Sequence, residues 1–281
     1  MTKRILIYSS LLILISHMNQ ISGQKLNWQV KHLISGQLLD LGEKGSVQGL
    51  LIQEEYNPDP FYGKNEKEFE WIEKHTWEFL SNFILNQGQM DHDFLEIDFP
   101  SIDTYAKVYL NSKLIAETAN AFHSHRINIK KQGQLGLNQL KIVFTPPTIY
   151  HREAYKKRPS QLPAPNDVGE IAVASMARKP QYQFGWDWAL RMNTMGFWKA
   201  AKIVCYNKNK ISQVKIETKS LYSNSAKLDL SLYLNQEKNE KYTIQSSLFG
   251  KLSDYQIEDN RLSTIVELES PKLWWPRGHG E

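Results

Sequence analysis

At 281 residues, 41% hydrophobic and 23% charged, the chain can form one large β domain or two smaller ones, and disordered or low-complexity classes are excluded. Its formal charge of +4 comes from 34 Lys and Arg against 30 Asp and Glu, mostly scattered. The one dense basic cluster is His151, Arg152, Lys156, Lys157 and Arg158. Phosphate binding needs a larger concentrated footprint, so no nucleic-acid partner is expected.

The N-terminus reads as an export leader. Lys3 and Arg4 form a basic start, Ile5 to Ile15 an apolar run, and Ile21-Ser22-Gly23 offers a small residue at the cut, so residues 1–23 are expected to be a signal peptide and Gln24 the mature start. The run is short for a bilayer span, and no cysteine follows the cut, so no membrane anchor is expected. The expected location is secreted or periplasmic, or lysosomal-type in a eukaryote. Cys205 is the only cysteine, which excludes an internal disulfide framework; between Val204 and Tyr206 it reads as a buried strand thiol.

Beyond the leader, a strand is expected around Trp28 to Ile34 and another at Val47 to Ile52, with Gly36, Gly42 and Gly45 in the turns. Asn57-Pro58-Asp59-Pro60 is a turn, and Lys64 to Trp71 is polar and briefly helical. Strands then follow at Thr76–Leu85, Phe94–Phe99, Ala106–Leu110, Lys113–Glu117, Arg126–Ile129 and Gln139–Phe144. In Phe94–Phe99 the period of two sets Leu95, Ile97 and Phe99 against Phe94, Glu96 and Asp98, one set inward. Short strands at this spacing predict an all-β sandwich or jelly roll.

Residues 145–180 break the rhythm as a basic insertion punctuated by Pro146, Pro147, Pro159, Pro163 and Pro165; loops of this length are usually functional. Strand pattern resumes at Gly196–Val204. A boundary near Tyr206 separates a 24–205 domain from a 206–281 domain. The second alternates at Val214, Ile216 and Leu221, at Leu228, Leu230 and Leu232, across Tyr242–Leu248 and across Thr264–Leu268. At about 75 residues it is short for an immunoglobulin-like sandwich of about 100, and its end at Trp274-Trp275-Pro276 reads as cut before closing strands.

General catalytic motifs are missing. No His-Glu-x-x-His, Cys-x-x-Cys, Gly-rich phosphate loop or Gly-x-Ser-x-Gly occurs, and His123 and His125 lack a third ligand at the usual spacing, so no metal or cofactor is expected. The composition is instead biased to aromatics, with 8 Trp and 13 Tyr. Flat indole faces pack on the apolar faces of pyranose rings, although each tryptophan also suits a core. The informative block runs from Arg178 through Trp186-Asp187-Trp188 to Trp198, a sugar-contacting wall on this reading. A pyranose needs an apolar platform for its C–H face and a charged acceptor for adjacent hydroxyls, and Trp-Asp-Trp supplies both. A core strand with Asp187 in a surface turn fits those three residues as well.

The block Arg178-Lys179-x-Gln181-Tyr182-x-Phe184-Gly185-Trp186-Asp187-Trp188 resembles the signature of the N-terminal domain of β-mannosidases in glycoside hydrolase family 2. In the same order, Asp59-Pro60-Phe61-Tyr62-Gly63-Lys64-Asn65-Glu66, Ile102 to Asn111, Asn120-Ala121-Phe122, Gly136 to Leu140, Gly196-Phe197-Trp198-Lys199 and Trp274-Trp275-Pro276 are similar to that family's elements, covering residues 26–281. The resemblance implies a galactose-binding-like jelly roll at 24–205, part of an immunoglobulin-like sandwich at 206–281, and two catalytic glutamates in a (β/α)8 barrel outside these residues. It further implies that Asp187 binds hydroxyls of a terminal β-mannose, with Trp186 and Trp188 shaping the pocket, and that no catalytic residue lies in this chain. Expected partners are β-mannoside oligosaccharides or glycans, with retaining hydrolysis by the whole enzyme. A free-standing carbohydrate-binding module is the alternative; a family 2 glucosaminidase or galactosidase fits the Arg-Lys-x-Gln-Tyr block less well. Two departures stand out: Ala189-Leu190 where the family has Gly-Pro, and Ser101 where it has Gly. The first bears on the turn presenting Asp187, because Gly permits backbone angles that Ala does not.

Overall fold

The computed structural model describes residues 14–15, 22–160, 162–207, 210–235, 241–246, 250–256 and 260–279. The chain divides into two compact units, one of residues 21–205 and one of residues 206–281 with 1–20. No helix of the described residues is long and apolar enough to cross a membrane.

The 21–205 unit is a two-sheet sandwich. One sheet has six strands in the order Leu38–Gly42, Trp28–Lys31, Trp77–Leu85, Gly136–Thr145, Tyr105–Leu110 and Lys113–Ala119. The other runs His125–Asn128, Phe94–Phe99, Lys202–Tyr206 and Ser22–Lys25. Alternation fixes which side chains meet between them. Trp28, Phe79, Val108, Ile142 and Phe144 from the first sheet share one buried cluster with Leu95, Ile97, Phe99, Ile203 and Cys205 from the second. Of the two alternating sets in Phe94–Phe99, Leu95, Ile97 and Phe99 are the buried one. Burial pushes the Cys205 thiol's pKa up, as suits an inert core thiol.

Local chemistry sets the turns and ends. The first strand stops at Lys31, short of Ile34, because His32 and Ser35 pair at 3.0 Å and Gly36 N–H donates to His32 O, folding the chain back into the edge strand Leu38–Gly42. Asn111 and Ser112 take positive φ of 48° and 69° between Leu110 and Lys113, the two-residue hairpin twist expected there. The polar segment after Asn57 is a 3₁₀ helix, Asn65–Lys74.

Val47–Ile52 is not a strand. Residues Val47–Gln53 form an α-helix, capped by Ser46 Oγ accepting Gly49 N–H at 3.1 Å. Val47, Leu50 and Leu51 are buried at i, i+3 and i+4, so the apolar run supplies a helical stripe that six residues cannot distinguish from a buried strand. The insertion after Thr145 carries two short helices, Pro147–Tyr150 and Arg152–Lys157.

In the 206–281 unit, Lys210–Leu221, Ser225–Asn235 and Arg261–Glu269 form one antiparallel sheet, and Lys241–Ser246 pairs with Gly250–Gln256 and with Leu14–Ile15. The rest of the expected apolar leader run, and Leu248 of the Tyr242–Leu248 expectation, lie outside the described residues. Leu228, Leu230, Leu232, Leu234, Leu262 and Val266 are buried. Val214 and Ile216 share the face of Leu232 and Leu230 but are 40% and 39% exposed, on a strand that is the edge of its sheet among the described residues.

Candidate functional site

The Trp-Asp-Trp block is the tip of a hairpin. Phe184–Trp186 pairs antiparallel with Ala189–Arg191, Phe184 opposite Arg191 and Trp186 opposite Ala189, leaving Asp187-Trp188 as a two-residue turn. Gly185 is needed here: its φ is 104°, and a Cβ would come 2.9 Å from Asn166 O. Ala189 sits in the strand and is not among the positive-φ residues, so this position asks nothing of glycine.

Two buried ionic networks hold the hairpin's feet. In the first, Lys179 Nζ lies 3.2 Å from Asp103 Oδ1 and donates to Thr194 O at 2.9 Å, with both side chains almost wholly enclosed. Asp103 Oδ2 accepts from Gln183 Nε2 at 3.1 Å and Thr194 Oγ1 at 2.8 Å, and Thr104 Oγ1 also donates to Asp103. Gln183 Oε1 completes the ring by accepting Thr194 N–H at 3.0 Å. Burial pulls the Lys179 pKa below the ordinary lysine range, against the pull of the Asp103 carboxylate. The second network grips the returning strand. Arg191 makes a two-pronged pair with Glu73 at 2.7 and 3.1 Å and reaches Asp167 at 3.4 Å. Burial lowers the Arg191 pKa, but Glu73 and then Asp167 outweigh it and hold the group above its ordinary value. Behind both, Gln48 of the Val47–Gln53 helix donates to Asn193 O at 2.7 Å and accepts Met195 N–H at 3.2 Å.

The next wall segment is fixed by backbone approach. Gly196, φ 151°, pairs with Ser46 so closely that a Cβ would collide with Gly45 O. Ser101 is buried, and its hydroxyl accepts the N–H groups of Trp198 and Lys199, each at 2.9 Å. The hydroxyl that sets Ser101 apart from glycine therefore orients Trp198.

These elements enclose a cleft of about 890 Å³, lined by the hairpin residues Trp186, Asp187, Trp188 and Ala189, by Tyr182, Gln183 and Thr194 at its feet, by Phe197 and Trp198, and by Pro60, Phe61 and Glu66. Trp186, Trp188 and Trp198 are 48%, 68% and 41% exposed, while Trp28 and Trp77 are fully enclosed in the core. Trp186 and Trp188 lie 6.4 Å apart at 45°, with Tyr182 5.9 Å from Trp188, so three rings tile one side. The exposed Asp187 carboxylate makes no hydrogen bond or ion pair among the described residues. An aromatic platform beside an uncommitted carboxylate can stack on a sugar ring and accept its hydroxyl protons.

The three residues singled out in the sequence, Trp186, Asp187 and Trp188, thus lie together in the cleft, but the wall is not uniform. Lys179 of the same block turns inward as scaffold, Gln183 borders the cleft's foot with its amide committed to Asp103 and Thr194, and Arg178 is exposed but does not line the cleft. Phe61 and Glu66 were not picked out as site residues. Their sequence signal is the turn-rich Asp59–Glu66 segment that carries both and resembles a family element. His123 and His125 join no metal-binding group, and among the described residues no cluster of three His, Cys, Asp or Glu could hold a metal.

A model of the family described as glycosyl hydrolase 2 galactose-binding domain-like matches residues 28–199, more than half of the chain. The chain belongs to this family. Among the curated relatives, β-mannosidase B of Emericella nidulans is 29% identical over 233 residues, covering 79% of this chain and 27% of that protein. β-Mannosidase of Capra hircus is 25% identical over 275 residues, covering 90% and 31%. The crystal structure of a β-D-mannosidase from Dictyoglomus thermophilum superposes with a TM-score of 0.81 at 28% identity, over 94% of this chain and 33% of that one. An exo-chitosanase from Amycolatopsis orientalis, at 14% identity and a TM-score of 0.60, shares the fold. The chain therefore corresponds to the N-terminal part of β-mannosidase-like family 2 proteins and spans about a third or less of the length of these relatives.

Proposed function

We propose that this chain supplies the sugar-gripping wall of a retaining, exo-acting β-mannosidase-like hydrolase that removes terminal non-reducing β-D-mannose from oligosaccharides or glycans. The observation that carries the reading is the free Asp187 carboxylate at the tip of a rigid hairpin between two exposed indoles. The similarity to named β-mannosidases supports mannose as the sugar. In this reading Asp187 accepts protons from adjacent hydroxyls of the mannosyl ring while Trp186 and Trp188 exclude water from its apolar face. The acid/base and nucleophile of a retaining mechanism, carboxyl groups about 5 Å apart, are assigned to no residue of this chain.

The test is titration of the 281-residue polypeptide with mannose by ligand-observed NMR, alongside a nitrophenyl β-mannoside assay. Weak mannose binding that Asp187→Asn reduces at least about tenfold is expected, since a hydrogen bond to a charged group contributes about 1.5–3 kcal/mol, with no hydrolysis above background. Equal binding by the variant, or none by the parent, sinks the sugar-wall reading. Tight, Asp187-dependent binding favours a self-sufficient carbohydrate-binding module.

Export through the N-terminal leader belongs to the same proposal. Ser22–Lys25 pairs with Lys202–Cys205 as a sheet edge, so cleavage after Gly23 leaves Gln24 and Lys25 to hold that edge. N-terminal sequencing of the protein recovered outside the cytoplasm should begin at Gln24; an intact Met1 there counts against a cleaved leader.

A further inference from the structure

The cleft has a second wall with chemistry of its own. Its volume of about 890 Å³ lies near the top of the roughly 300–1,000 Å³ range of ligand pockets, more than one pyranose fills. Besides the hairpin, Pro60, Phe61 and Glu66 line it. Phe61 is 83% exposed, which an isolated aromatic on a mobile loop would explain. The loop, however, is braced from within. Asp59 Oδ1 accepts Phe61 N–H at 3.0 Å, Asp59 O accepts Asn65 Nδ2 at 2.9 Å, and Tyr62 O accepts Asn65 N–H at 3.1 Å. Asn57 Nδ2 ties the loop's entry to Glu68 O at 2.6 Å, and the 3₁₀ helix after it buries Phe69 and Ile72 in the core. Glu66, at the start of that helix, is half-buried, and its carboxylate makes no hydrogen bond or ion pair among the described residues.

The second wall therefore repeats the composition of the first: a rigidly presented aromatic beside an uncommitted carboxylate. We propose that Phe61 and Glu66 recognise the sugar unit joined to the one that Asp187 grips, so that the cleft takes a β-linked disaccharide or the end of a longer chain. Phe61 stacks on the second ring, Glu66 accepts protons from its hydroxyls, and the pair sets specificity for what lies on the far side of the scissile bond. This rests on the mannose reading of the Asp187 wall and deepens it.

The experiment compares mannose with β-1,4-mannobiose on the 281-residue chain, its Phe61→Ala and Glu66→Gln variants and Asp187→Asn. Phe61 is exposed and Glu66→Gln keeps the side-chain volume, and unchanged thermal midpoints establish that both variants fold. The parent should bind mannobiose at least about fivefold more tightly than mannose. Each variant should lower mannobiose affinity at least about fivefold more than mannose affinity, whereas Asp187→Asn should weaken both sugars together. A parent that binds mannose but gains nothing from the second ring overturns the two-wall proposal and leaves the Asp187 reading standing. So do variants that keep the parental mannobiose-to-mannose ratio. A parent that binds neither sugar overturns both.

Discussion

Replacing Lys179 by Met should cost the 21–205 unit about 3–5 kcal/mol of stability, the range for removing one partner of a buried ion pair. The substitution keeps the aliphatic volume and removes only the ammonium. What remains is Asp103, itself wholly enclosed, with Gln183 and Thr194 still donating to one oxygen and no cation against the other. The Thr194 carbonyl also loses its donor. Asp103→Asn should also destabilise by leaving the ammonium without a charged partner, but Lys179→Met with Asp103→Asn should recover part of the loss, because the neutral amide carries no stranded charge. The gap between the double variant and the sum of the singles measures the coupling. Urea unfolding followed by tryptophan fluorescence reads this directly. A loss under about 1 kcal/mol for Lys179→Met would mean that water reaches the pair and that the hairpin's feet are held by something else.

Phe197→Ala should be of similar size, about 3–5 kcal/mol, the usual cost of emptying a buried aromatic site. The ring is only 2% exposed and touches both sheets. It stacks on Trp28 at 4.7 Å and on Phe99 at 6.0 Å, and meets Phe79 and Phe144 edge-on at 5.7 Å. Four large neighbours on four strands cannot collapse into the gap together, so the cavity term adds in full. Trp198, the next residue, is the contrast. Being 41% exposed, Trp198→Ala should cost under about 1 kcal/mol while removing one aromatic face from the cleft. If Phe197→Ala unfolds at the parental urea midpoint, the aromatic cluster is not what joins the sheets.

Part of this molecule could be read along the chain because the relevant physics is local. A period of two in Phe94–Phe99, or Asn111-Ser112 between two apolar runs, fixes a strand or a turn from neighbouring residues alone. The run Val47–Ile52 shows where that fails. Its apolar residues satisfy either period, and the decision came from Ser46 capping a helix and from Gln48 finding partners at Asn193 and Met195, far along the chain. The site divides the same way. Trp186-Asp187-Trp188 carries its chemistry within three residues, so it was visible. Lys179 and Gln183 sit in the same block and looked like part of the same surface. Their inward orientation depends on Asp103 and Thr194, just as the hold on Arg191 depends on Glu73, 118 positions earlier.

By itself the sequence determined an all-β chain of sandwich strands and a pointed carboxylate between two indoles at Asp187, since alternation and composition act over a few residues. Only the tertiary structure decided that this carboxylate stands free at the tip of a clamped hairpin, and that Phe61 and Glu66 face the same cleft. Burial and charge pairing are properties of distance in space, and those distances exist only once the two sheets have closed on Phe197.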